Sequence, residues 1–146
     1  MKKILSLLLT IVCLASCTSS DNSSDNIKLR FKNGKFKIAQ FTDIHWDPSN
    51  TRSESVPDSL LAVLEKERPD LVVMTGDIVT GRPAEQGWKN IMAMMQKAGI
   101  PYAVTMGNHD PENMERDSIF DILATDPLFI GEKGPQRKLH APHLGV

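Results

Sequence analysis

The 146-residue chain sets 17 Lys and Arg against 18 Asp and Glu, a net charge of -1 with histidine neutral. With 40% hydrophobic and 24% charged residues it has the composition of one globular domain, not of a disordered tail, a collagen or a coiled coil. The near-neutral balance offers no broad basic field for nucleic acid, and only two cysteines, Cys13 and Cys17, exclude a disulfide-stapled scaffold.

Lys2 and Lys3 precede an almost entirely apolar run from Ile4 to Leu14. A charged start, an apolar middle and small residues at the cut are the layout of a secretory signal peptide. The run is shorter than the roughly 20 apolar residues of a permanent membrane span. It closes in Leu14-Ala15-Ser16-Cys17, which resembles a bacterial lipobox. The expectation is a signal peptide over residues 1–16 and an acylated Cys17 as the new N-terminus. The protein is then exported to the bacterial cell envelope and lipid-anchored to a membrane. Thr18 to Asn26 is polar throughout and cannot bury enough surface to order itself. Residues 17–26 are therefore read as lipidated cysteine plus flexible linker, and residues 27–146 as the folded domain.

Ile27–Phe31 and Phe36–Phe41 are apolar-rich runs around Asn33-Gly34, a dipeptide that favours a tight hairpin. A helix is predicted over Pro57–Glu67, with Ser55 as cap, Leu60, Val63 and Leu64 on one face, and Pro69 as stop. Leu71–Met74 reads as a strand buried on both faces. Ala84–Ala98 reads as a helix with Trp88, Ile91, Met92 and Met95 on one side and Gly99 as its terminator. Pro101–Met106 is a further strand, and Pro111–Leu123 a further helix. The rest, from Asp126 to Val146, has no clear period and reads as loop with one short strand at most. This alternation predicts an α/β fold: a mainly parallel β-sheet built from βαβ units with helices on its faces.

Three successive strands run into polar clusters: Asp43-Ile44-His45, Gly76-Asp77 and Gly107-Asn108-His109-Asp110. Ligands of open α/β sheets bind outside the carboxyl ends of the strands, so clusters about one βαβ unit apart in sequence converge in space. Carboxylate and amide oxygens with imidazole nitrogens suit Zn, Mn, Fe or Ni. Two such ions clamp the attacking and leaving oxygens of a displacement at phosphorus.

In order, spacing and position after apolar strands, these clusters resemble the first three motif blocks of the calcineurin-like metallophosphoesterases. The resemblance covers roughly residues 36–125 and is closest to the branch labelled purple-acid-phosphatase-like. It implies hydrolysis of a phosphate ester by metal-bound hydroxide and two divalent ions, with Mn, Fe and Zn all open. Asp43 and His45 would bind the first ion, Asp77 would bridge both, and Asn108 would bind the second. His109 would contact the phosphate and protonate the leaving group, and Asp110 would hydrogen-bond His109 and orient it. True purple acid phosphatases have a tyrosine three residues after the bridging aspartate, where this chain has Thr80. The family's later Gly-His-x-His block does not occur before Val146, so the expectation is the N-terminal half of a metallophosphoesterase sandwich. The rival reading is a non-catalytic surface lipoprotein that keeps the fold as a binding module.

Other residues receive plainer readings. Trp46 either walls the cleft or packs a loop. Met92, Met94 and Met95 read as core, His140 and His143 as part of a solvated loop, and Glu65–Arg68 as a charged helix end.

Overall fold

A computed structural model describes residues 27–134. The expected signal segment, Cys17, the expected linker up to Asn26, His140 and His143 lie outside the described residues. Within them, no helix is long and apolar enough to cross a membrane.

Three parallel strands form one sheet in the order β1 (Ile38–Phe41), β2 (Leu71–Thr75), β3 (Tyr102–Thr105). Phe41 pairs with Met74 and Met74 with Val104, so the strands reach their carboxyl ends together. Helix α1 (Val56–Glu67) joins the first pair and α2 (Ala84–Ala98) the second, while α3 (Arg116–Leu123) follows β3. The α/β architecture with a parallel sheet thus matches the reading of the sequence.

Each helix forms for a local reason. Pro57 falls in the first turn of α1, where its missing N–H costs nothing. Ser55 occupies the cap position, but its side chain makes no capping bond; its carbonyl instead accepts the Ser59 N–H at 3.0 Å. Arg68, in the left-handed region at φ 44°, ends the helix before Pro69 is reached. In α2, Gly99 takes φ 66° and its N–H closes on the Met95 carbonyl at 2.8 Å, as a glycine terminator should.

The core lies between the helices and one face of the sheet. Val72, Met74, Tyr102 and Val104 meet Leu60 and Leu64 of α1, Trp88, Ile91 and Met95 of α2, and Ile119 and Leu123 of α3. Met92 and Met94 are buried as well, so all three methionines serve packing. On the other face Ile38 is 55% exposed, and Leu71, Val73 and Thr75 are only half-buried. The expected burial of β2 on both faces is therefore corrected: among the described residues, the helices cover one face.

Three further differences arise at loops. Asn33 and Gly34 take φ 52° and 73°, the pair of positive values that a two-residue hairpin turn needs, and Lys32 and Lys35 exchange backbone bonds of 2.8 and 3.0 Å. Pairing stops there, and the arm before Lys32 forms no strand. The helix expected over Pro111–Leu123 divides into a 3-10 turn (Asp110–Glu112) and α3. Asn113 accounts for the break: its amide donates to the Thr80 carbonyl at 3.0 Å and accepts from Arg82 Nε at 2.6 Å, holding the chain to the loop after β2. Finally, Tyr102 bridges Phe129 in parallel, so the segment after α3 begins to pair along the outer edge of β3. Asp126, only 2% exposed, accepts the Tyr102 hydroxyl at 3.0 Å and the Leu128 N–H at 2.9 Å, which fixes that segment. Burial, then the Asp126 charge, pushes the Tyr102 phenol pKa up.

Candidate metal centre

The loops leaving the three strands are laced together by backbone bonds. Asp43 N–H donates to the Gly76 carbonyl at 3.1 Å, His45 N–H to Asp77 at 2.9 Å, and Gly76 N–H to Thr105 at 2.8 Å. To make these bonds and still aim side chains outward, Asp43, His45 and Asp77 all adopt left-handed backbone, at φ 51°, 50° and 50°. Aspartate tolerates this region; for histidine it costs about 1 kcal/mol. Such strain concentrates at functional sites because the surrounding structure must over-determine it.

The result is a cluster in which one ligand atom each from Asp43, His45 and Asp77 lies within 4.8 Å of the others. Asp43 and His45 are exposed, whereas Asp77 is 9% exposed. Two carboxylates and an imidazole at this spacing, with neither carboxylate in an ion pair among the described residues, form a donor set suited to a divalent cation. Asp77 is oriented from the third loop: His109 N–H donates to its Oδ1 at 2.9 Å, which leaves Oδ2 for a ligand. Gly107 makes this approach possible, since a Cβ there would run into Asp77 Oδ1.

Asn108 is exposed between Gly107 and His109, on the loop that contacts Asp77. The His109 ring stands beside the His45 ring, with centroids 5.9 Å apart. The structure therefore brings the β3 loop to the cluster formed by the β1 and β2 loops.

The expected hydrogen bond from Asp110 to His109 is replaced by different partners for both residues. Asp110 has no solvent exposure. Its Oδ1 accepts the N–H groups of Ile78 at 2.7 Å and Val79 at 3.0 Å, and its Oδ2 those of Asp77 at 2.9 Å and Gly107 at 2.8 Å. A carboxylate filling a ring of four backbone donors ties two loops into one unit. The histidine instead holds Glu112, with Nδ1 2.7 Å from Oε1. That hydrogen bond, reinforced by the Glu112 charge, raises the His109 pKa above 6.5. Glu112 went unnoticed in the sequence, although its position three residues after His109 was the available signal. Trp46 is 7% exposed and joins the core, its backbone N–H donating to the Ile78 carbonyl at 2.8 Å, which makes it a loop-packing residue.

Comparison with known proteins agrees with this geometry. A family model described as calcineurin-like phosphoesterase matches residues 36–142. A probable inactive purple acid phosphatase 28 of Arabidopsis thaliana is 35% identical over 129 residues, covering 75% of this chain and 32% of that protein. A probable inactive purple acid phosphatase 29 of the same plant is 31% identical over 132 residues, covering 77% and 34%. A probable cyclic nucleotide phosphodiesterase of Psychrobacter arcticus is 35% identical over 92 residues, covering 53% and 32%. The chain spans about a third of the length of these curated relatives. With the three loop clusters in place and the match running through all of them, the chain belongs to the calcineurin-like phosphoesterase family.

Proposed function

We propose that this chain supplies the metal-binding loops of an exported, lipid-anchored phosphoesterase that hydrolyses phosphate esters with two divalent ions, Mn, Fe or Zn. The observation that carries this reading is the cluster of Asp43, His45 and Asp77 at the carboxyl ends of parallel strands, with His109 beside it. The donor set fits a cation, and when bound the ions supply an activated water and neutralise phosphoryl oxygens. Asp43, His45 and Asp77 hold the first ion, and Asp77 and Asn108 contribute to the second. His109 keeps Nδ1 on Glu112 and turns Nε2 to the substrate, where the raised pKa keeps a proton ready for the leaving oxygen. Asp110 acts through the backbone, by holding the Asp77 and Gly107 loops in register. Cys17 carries the lipid that tethers the domain to the membrane.

A second reading, a non-catalytic binding module, is favoured by one observation: two of the relatives above are named probable inactive phosphatases. Metal analysis of the purified chain with added Mn or Zn, together with release of the phenol from aryl phosphate mono- and diesters, separates the two. Metal-dependent turnover that disappears in His109→Ala supports the enzyme. Stoichiometric metal with no turnover on any ester supports the binding module.

A further inference from the structure

The segment from Lys28 to Lys37 departs from the neutral balance of the chain. It holds Lys28, Arg30, Lys32, Lys35 and Lys37, five of the 17 basic residues, and none of the 18 acidic ones. Leu29, Phe31 and Phe36 alternate with these cations. The turn at Asn33-Gly34 folds the segment back, so that Phe31 and Phe36 pack with ring centroids 5.7 Å apart. Residues 28–35 are all exposed, with Phe31 at 76%. Lys32 pairs with Asp70 at 2.9 Å and Lys37 with Glu67 at 3.3 Å, which steadies the base of the hairpin. Lys28, Arg30 and Lys35 make no ion pair among the described residues. An open cleft of about 710 Å³ is lined in part by Phe31, Lys32, Lys35, Phe36 and Arg68, with Asp70 as its acidic member.

We infer that this hairpin is a membrane-contact device that seats on the headgroups of an anionic phospholipid bilayer. The exposed Phe31 and Leu29, interleaved with the unpaired Lys28 and Arg30 and close in sequence to Lys35, match that interface: the Phe31 ring enters the acyl boundary while Lys and Arg reach the phosphates. The inference goes beyond the phosphoesterase reading, although it rests in part on the lipid anchor. If Cys17 is acylated, residues 18–26 span at most roughly 30 Å even when fully extended, so the hairpin stays next to the bilayer at high effective concentration. Seating also sets orientation. Strand β1 runs from the hairpin to Asp43, so the metal loops point away from the lipid and toward soluble substrate.

The test uses the full chain with Phe31→Trp, expressed in bacteria and reconstituted in phosphatidylcholine vesicles with or without phosphatidylglycerol, with brominated lipid as quencher. Trp46 and Trp88 are buried in the core and give the background. Expected is quenching of the new tryptophan in the anionic vesicles at low salt, fading as salt is added. The triple variant Lys28→Glu, Arg30→Glu, Lys35→Glu should lose that quenching yet still float with the vesicles, since each lost cation weakens contact about fivefold. Flotation without quenching in anionic vesicles, quenching indifferent to charge reversal, or protection of the tryptophan by a second copy of the chain would each overturn the hairpin proposal. Quenching on added anionic vesicles by a chain that does not stay anchored would support the hairpin and refute only the lipid anchor.

Discussion

The buried Asp110 carboxylate accepts the backbone N–H of Asp77 at 2.9 Å, joining the loop after β3 to the loop after β2 beneath the metal cluster. The same carboxylate takes three more N–H groups, so two motif blocks 30 residues apart behave as one rigid piece. An aspartate adjacent to a histidine suggests a dyad; here the geometry makes it an anchor for backbone.

That role predicts a graded response. Asp110→Ala leaves three buried donors and the part-buried Gly107 N–H without their acceptor and should cost at least about 3 kcal/mol, since each buried orphaned group costs roughly 1–3 kcal/mol. Asp110→Asn keeps one accepting oxygen and should fall between alanine and wild type. Urea denaturation of the three proteins checks the order; equal stability of all three would refute the anchor.

Metal binding should separate two residues that are in direct contact. Asp77→Asn removes the charge from the cluster and should abolish stable metal binding. The contact from His109 to Asp77 is made by backbone N–H, so His109→Ala keeps it. Metal content should then stay near wild type while turnover drops ~10²–10⁴-fold, the usual cost of losing a general acid. Isothermal titration with Mn or Zn, beside a phosphatase assay, reads both quantities.

Gly107→Ala tests the packing of the same contact. Its Cβ would run into Asp77 Oδ1 and lie 2.6 Å from the Asp77 backbone N, so the loop itself has to shift along with the carboxylate. Weaker metal affinity is expected together with lower stability, read by titration with Mn or Zn beside thermal unfolding. Gly134→Ala is the control: its Cβ meets nothing within 4 Å and its backbone is not in the left-handed region.

The Glu112 contact has a pH signature in the metal-free chain. Glu112 raises the His109 pKa, so Glu112→Gln should lower its titration midpoint toward 6.5. The sign for stability follows from linkage: with the folded value above the unfolded one, the pair's contribution is complete below about 6.5 and is lost as pH rises through the folded value. Both side chains are exposed, so the stability effect is small and histidine NMR is the measurement. An unmoved midpoint would remove Glu112 from the site.

Tyr102→Phe addresses the far side of β3. It removes the hydroxyl that satisfies Asp126 in the core and should cost about 1–3 kcal/mol. Thermal unfolding reads the loss.

Much of this protein is local and therefore legible in the sequence. Helices α1 and α2 follow from apolar spacing, Pro57 and Gly99, because a 3.6-residue period and a terminator act within a few residues. The three polar clusters identify themselves because each directly follows an apolar strand, and parallel strands deliver their carboxyl ends to one edge. Tertiary structure decided the rest. The side chain of Asp110 chooses among donors on Asp77, Ile78, Val79 and Gly107, and three of these are brought to it only by folding. Asn113 breaks the expected third helix by reaching Thr80, 33 residues away, a bond that outweighs local helix preference. Val73 looks as buried as Val72 in the sequence, yet only Val72 faces the helices, because burial depends on what packs across the sheet and not on the residue itself.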